Sequence, residues 1–281
     1  MEEALALLRE CGEDAKLFAG GQSLMMLMRH RLIEPDYLIG LGGIPELKGI
    51  GVDASAGLRI GGMTTQRSIE KSSLVTDRCN ILVQAAKRVA SIPVRNLGTL
   101  GGNLCHGEPG ADPPAALIAA AAKVKLVGSQ GERLVNVEDF FVDYLETVVR
   151  PDEIATEILV PESPVRSGGV YLKCSRRAVD FALVGVGVVV TLASDNSCQD
   201  IRIGLNGVDV KPIRAWAAES VIRGAPITES VLEEAGRVTA ENANPLSDAH
   251  ASADYRRKMI AVYLRRAVKQ ACVIARGGGE M

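Results

Sequence analysis

The chain has 281 residues and a formal charge of −2, with 32 Lys and Arg against 34 Asp and Glu. That length suits one large domain or two modest ones, and the charge balance excludes the basic excess of a nucleic-acid groove. Aromatic residues make up only 4%, too few for base-stacking platforms, and the longest apolar run, 182–193, is strand-sized rather than membrane-sized.

No cationic segment followed by an apolar one opens the sequence, so a cytoplasmic protein is the default expectation. In chain order, Glu2–Cys11 has helical spacing, with Ala4, Leu7, Leu8 and Cys11 along one stripe and Gly12 as the stop. Residues 16–18 read as a short strand running into Gly20-Gly21, followed by a helix over 24–31 if Ser23 starts the turn. A strand at 36–39 and a helical turn at 44–47 complete a small unit whose strands should be parallel.

A second unit opens near Gly57, with a strand at 58–62 and a helix capped by Thr64 or Thr65 through Ile69. Residues 77–90 are helical on the stripe Leu82, Ala85, Ala86 and Val89, and the second glycine pair, Gly101-Gly102, follows. Asp112-Pro113 marks a helix start, a carboxylate cap with proline behind it, and the helix through Ala122 is apolar all round and hence buried. Strands at 123–127, 132–137 and 153–160 close this unit, and 161–169 reads as a linker.

The remainder changes character. Three hairpin-like strands, 170–173, 182–192 and 201–205, precede helices at 214–222, Glu229–Asn242 and 252–274, which is an α+β module separate from the first. Residues 276–281, rich in glycine, should fray as a disordered tail.

The chemistry concentrates at two segments about 80 residues apart, Ala19-Gly20-Gly21-Gln22-Ser23-Leu24 and Thr99-Leu100-Gly101-Gly102-Asn103. Paired glycines leave amide N–H groups bare and admit positive φ, so anionic oxygens can approach the main chain. Gln22, Ser23, Thr99 and Asn103 add side-chain donors, and the two loops together suit an extended pyrophosphate. Each feature has a plainer reading: a glycine pair as a turn, Asp112 as a cap only, Lys173 as a solvent-facing charge, His106 as a loop residue. The six cysteines are scattered, giving no metal-ligand spacing and reading as reduced thiols. Gly185-Val186-Gly187 lies within a strand, so it reads as strand glycine rather than a dinucleotide fingerprint.

At these loops the chain resembles the FAD-binding medium subunit of the molybdenum hydroxylases, the group that contains carbon monoxide dehydrogenase and xanthine dehydrogenase. The strings AGGQSL, RLIEPDYLI, VRNLGTLGGNL, FFVDYLETVVRPDEI, YLKCSRRAVDFALVGV and SADYRRKM carry the resemblance, in the family's order, over essentially the whole chain. It implies an α+β protein: a two-subdomain FAD-binding domain of the vanillyl-alcohol-oxidase type over 1–163, divided at about 52/53. A small C-terminal domain over 168–275, with a three-stranded antiparallel sheet plus helices, would follow.

By the same resemblance, Leu17, Phe18, Ala19, Gly20, Gly21, Gln22, Ser23 and Leu24 wrap one side of the FAD pyrophosphate, and Thr99, Leu100, Gly101, Gly102 and Asn103 the other. Asp112 accepts hydrogen bonds from the cofactor, Lys173 stands near the flavin ring and Ala155 adds a small contact. A cation at Lys173 would favour anionic reduced flavin. The implied work is electron transfer: FAD receives electrons from the [2Fe–2S] clusters of a small partner subunit, fed by a large molybdopterin subunit, within a dimer of heterotrimers. No catalytic residue and no metal belong to this chain on that reading. Family members usually carry about 15 residues ahead of the first helix here. The alternative is a self-sufficient FAD-dependent oxidase or dehydrogenase of the same cofactor fold, which would need a larger substrate-capping domain. A scaffold that has lost FAD is a third reading, disfavoured by the intact glycine pairs.

Overall fold

The computed structural model describes residues 1–53 and 56–278. The first helix, α1 (Glu2–Cys11), buries Ala4 and Leu8, one turn apart, and leaves Leu7 exposed, so the buried stripe is narrower than expected. It packs against β2 (Tyr37–Gly40), which α2 (Leu24–Arg29) joins to β1 (Ala15–Phe18), and the two strands pair in parallel as expected. Ala15, Ile39, Leu41 and Leu47 complete this small core, with Ile154 reaching into it from a distant strand. The helical turn expected near 44–47 is a single 3-10 turn, Pro45–Leu47.

Strands β3 (Ile50–Asp53) and β4 (Gly57–Gly61) open the second layer. Five helices follow: α3 (Gln66–Lys71), α4 (Ser73–Arg88), α5 (Ile92–Leu97), α6 (Leu100–His106) and α7 (Asp112–Ala119). Thr65, not Thr64, caps α3, its hydroxyl accepting from Ser68 N at 3.1 Å. Helix α4 starts four residues before its expected position because Ser72 caps it, and it is kinked at Cys79. The chain then forms β5 (Lys123–Gly128), β6 (Gly131–Asn136), the small hairpin β7 (Phe141–Asp143) and β8 (Glu146–Thr147), and β9 (Ile154–Val160). A five-stranded antiparallel sheet results, in the order β3-β4-β9-β5-β6. Its core gathers Ile60, Ile69, Leu82, Leu104, Leu117, Leu126 and Phe140.

The last part begins with β10 (Ser167–Cys174), β11 (Val184–Leu192), β12 (Cys198–Asn206) and β13 (Ile213–Arg214), an antiparallel sheet in sequence order. The expected three strands thus gain a fourth of two residues. Helices α8 (Trp216–Ile222), α9 (Glu229–Asn242) and α10 (Ala253–Ala275) cover one face. Strand β11 explains the packing. Val184, Val186, Val188 and Val190 point into the helix-covered core, while Gly185 and Gly187 alternate onto the opposite face. A Cβ on Gly187 would lie 2.6 Å from Ala115 O, and one on Gly204 of β12 2.2 Å from the same oxygen. The missing side chains let the α7 backbone lie directly on the sheet, which is why every residue of α7 is buried. Of the tail expected at 276–281, residues 279–281 lie outside the described residues.

Candidate functional site

The two glycine segments touch. A Cβ on Gly20 would sit 2.1 Å from Leu97 O and 2.9 Å from Gly98 Cα, so only glycine lets the first loop rest on the backbone that leads into the second. Gly21 holds a left-handed turn, φ 68°, beneath the Phe18 ring. Gln22 Nε2 donates to Gly20 O at 3.0 Å and closes the loop. Among the described residues, the amides of Gly20, Gly21, Gln22 and Ser23 have no acceptor. The first loop therefore presents the free donors expected of it.

The second segment departs from expectation. Thr99 caps α6, and Leu100, Gly101 and Gly102 form its first turn rather than an open loop. Their amides are occupied: Leu100 N donates to Thr64 O, Gly101 N to Gly62 O and Gly102 N to Thr99 Oγ1, at 2.9, 2.9 and 3.1 Å. Asn103 N is likewise taken by Thr99 O, and neither glycine has positive φ. The pair acts by its shape. Gly102 leaves the exposed face of the turn bare beside Ala19, its missing Cβ 3.5 Å from Ala19 Cβ. The main-chain donors come from one loop, and the second supplies a smooth wall. Beneath that wall Gly62 N donates to Thr156 O, and a Cβ on Gly62 would lie 2.3 Å from Ala155 O. This places Ala155 under the start of α6.

Asp112 is not a helix cap. It occupies the first position of α7 after Ala111, makes no capping bond, and is almost fully buried. Its Oδ1 accepts from the Tyr171 hydroxyl at 2.6 Å and its Oδ2 from Lys173 Nζ at 2.9 Å. Lys173 is not solvent-facing either: its side chain is 1% exposed, and Nζ also donates to Arg88 O at 3.0 Å. The lysine thus enters the site as half of a neutral pair, not as a lone cation. Burial lifts the Asp112 carboxyl above its ordinary range, against the opposing pull of Lys173, Tyr171 and Arg88. The Tyr171 phenol is pushed well up by burial and by the carboxylate beside it. Sequence reasoning missed Tyr171, although it stands two residues before Lys173 and so shares its face of β10.

The donor set can be tested against the pyrophosphate-bearing flavin expected from sequence. Four unpaired amides fit anionic oxygens. Asn103 Oδ1 and Gln66 Oε1 are buried acceptors without partners, which fits a ligand that carries hydroxyl or N–H donors. The residues present fit FAD. A separate cavity of about 470 Å³, lined by Glu108, Gly110, Tyr144, Phe181 and Arg256 among others, includes none of the predicted cofactor residues. His106 ends α6 half-buried, its pKa lowered by burial against the pull of Glu108. Arg177 is a surface residue, 78% exposed, whereas Arg176 lines the cavity.

Known proteins match nearly the whole of this chain. Residues 1–163 match the model of the FAD binding domain in molybdopterin dehydrogenase, and 169–271 match that of the CO dehydrogenase flavoprotein C-terminal domain. The carbon monoxide dehydrogenase medium chain of Hydrogenophaga pseudoflava is 37% identical over 96% of this chain and 93% of its own. The nicotine 6-hydroxylase medium subunit of Paenarthrobacter nicotinovorans is 34% identical over 96% of this chain and 94% of its own. The solved carbon monoxide dehydrogenase of H. pseudoflava superposes with a TM-score of 0.94 at 37% identity, over 97% of this chain and 94% of that one.

Proposed function

The chain belongs to the FAD-binding flavoprotein family of molybdopterin dehydrogenases, and from that premise we propose that it is the electron-transfer subunit of a molybdenum hydroxylase. It is an oxidoreductase component with an FAD-binding domain. On this reading, about 1–52 and 53–163 are the two subdomains that clasp the cofactor, with β3 at their junction, and 168–275 form the domain that backs it. Bound FAD supplies redox chemistry in one- and two-electron steps. The protein binds, orients and shields it. The free amides of Gly20 to Ser23 would hold the pyrophosphate, and the bare turn at Gly102, with Gly101 packed on Gly62 behind it, would let it lie close. Asn103 Oδ1 would accept from a cofactor hydroxyl, and Asp112 and Lys173 would meet the ring region as a fixed ion pair.

The partners on this reading are a small subunit with [2Fe–2S] clusters and a large molybdopterin subunit, in a dimer of heterotrimers, and the bound flavin would pass their electrons to an external acceptor. The six unbridged thiols suit a reducing, cytoplasmic setting. Among the described residues, no helix is long and apolar enough to cross a membrane.

The contact of Gly20 with Leu97 O carries the reading, because it joins the free-amide loop to the bare turn. Titration of the full chain with FAD, followed by flavin absorbance, tests it. Wild-type protein should take up one FAD per chain without covalent attachment. Gly20→Ala, whose methyl meets backbone atoms that cannot yield, should lose at least about tenfold in affinity. Gly42→Ala, with nothing within 4 Å of its Cβ, should match wild type. A colourless wild-type protein in excess FAD sinks the reading, and turnover of an organic substrate by the isolated chain would favour the self-sufficient oxidase.

A further inference from the structure

We propose that Tyr171 is a positioning residue of the flavin site: its hydroxyl fixes the Asp112 carboxylate against the Lys173 ammonium, so that the C-terminal sheet sets how the acidic group is presented to the cofactor. The inference rests on the proposed function, in which Asp112 accepts a hydrogen bond from FAD. Asp112 belongs to α7 on the FAD-binding side, whereas both of its donors come from β10. Tyr171 and Lys173 alternate along that strand and reach the same face, so one strand grips both carboxylate oxygens, Oδ1 at 2.6 Å and Oδ2 at 2.9 Å. A lone ammonium could pair with either oxygen and would leave the carboxyl free to turn. The second donor removes that freedom.

The hydroxyl is itself held. It occupies space that a Gly185 side chain would fill, a Cβ there lying 2.5 Å from the Tyr171 oxygen. Asn206 Oδ1 stands 3.2 Å away, and Asn206 Nδ2 donates to Gly110 O, which fixes the amide with its oxygen toward the phenol. The phenol has one proton and two acceptors within reach, and the shorter contact, to the charged carboxylate, takes it. The Tyr171 backbone is anchored as well, its N–H donating to Gln84 Oε1 at 2.8 Å. Glycine and asparagine thus converge on one phenol whose proton serves Asp112, and glutamine holds the backbone behind it.

The groups that face Asp112 are Lys173 and Tyr171 from β10, with Arg88 at the end of α4 adding its charge. A protonated Asp112 no longer serves as an ionised acceptor for the cofactor, so FAD affinity should fall as the pH drops through the carboxyl's titration. Removing the phenol's hydrogen bond should move that fall to higher pH. The test is FAD affinity of the full chain against pH, for wild type, Tyr171→Phe and Asp112→Asn. Tyr171→Phe should bind about tenfold more weakly at neutral pH, with its acid inflection raised by about one unit, the equivalent of one charge-assisted hydrogen bond. Asp112→Asn should lack the inflection.

An inflection that stays at its wild-type position in Tyr171→Phe, whether or not affinity falls uniformly, overturns the proposal, because a merely structural tyrosine would not move it. Should Tyr171→Phe fail to fold, a ring-fluorinated tyrosine at 171 keeps the shape and donates more strongly. It should lower the inflection, and no movement there overturns the proposal. A wild-type chain that binds no FAD at any pH would instead remove the flavin reading itself.

Discussion

Lys173→Met would keep the length and apolar volume of the side chain while removing the cation from a carboxylate that is 3% exposed. Breaking a buried pair from one side costs about 3–5 kcal/mol, because the remaining charge is stranded. The pH dependence has a definite sign. Burial holds the Asp112 carboxyl above its unfolded value. A raised acid contributes stability that is present below its unfolded pKa and lost as pH rises through its folded pKa. Without the ammonium the folded pKa climbs further, so the variant's deficit should be greatest at neutral pH and shrink on acidification. Urea melts of both proteins at several pH values give the answer, and a deficit that grows toward acid would contradict it. At this scale the sequence carried the identities of Asp112 and Lys173 but not their relation. They are 61 residues apart, and only the docking of β10 on α7 brings them together. Tyr171 was hidden for the same reason, since alternation puts it on the lysine's face but says nothing of what that face meets.

Secondary-structure elements were legible where local chemistry decides them. A threonine cap at 64 or 65, the start of the last helix near Ser252, the apolar α7 and the strand glycines of β11 can be read from residue type and spacing alone. Elements that depend on distant pairing were not: β7 and β8 are too short to show a period, α5 is a six-residue helix before Gly98, and α6 is a brief helix that contains the glycine pair. The second glycine pair is the instructive miss. Glycine disfavours helix interiors, so Gly101-Gly102 reads locally as a loop. Thr99 overrides that by capping the turn, while Gly62 O accepts from Gly101 N. Thr99→Ala and Thr65→Ala each remove one cap and should each cost about 1 kcal/mol in denaturant melts. Only Thr99→Ala frays the wall of the cleft, so it alone should weaken FAD binding, by roughly fivefold if the cap energy falls wholly on the bound form. Equal FAD affinities for the two variants would show that α6 does not line the cofactor.

Across the whole molecule, the segment between α6 and α7 is held from the C-terminal side. Ala182 N and Asn206 Nδ2 both donate to Gly110 O, and Gly207 N donates to Pro109 O at 2.7 Å. Farther along the same contact, Lys211 Nζ donates to Phe141 O, and Arg214 bridges Glu138 to Glu219 at 2.8 and 2.9 Å. Arg214 is only 5% exposed and lies 3.5 Å from the Trp216 ring centroid, so it is wedged between charge and aromatic face. Glu219 is fully buried and keeps Arg223 as a second, more exposed partner. Arg214→Met should therefore cost about 3 kcal/mol, the lower end for a broken buried pair, since Arg223 still answers part of the charge. The consequence reaches the cleft. Loosening this contact frees the 107–111 segment that leads into Asp112, so hydrogen exchange at Ala182 and Gly207 should quicken and FAD should dissociate faster. A variant that loses stability yet shows wild-type exchange at those two amides, and an unchanged FAD off-rate, would mean that the C-terminal part merely adjoins the cofactor site. The shared hydrogen bonds argue for the other outcome, because the backbone that carries Asp112 is anchored on the far sheet at both of its polar handles, Pro109 O and Gly110 O.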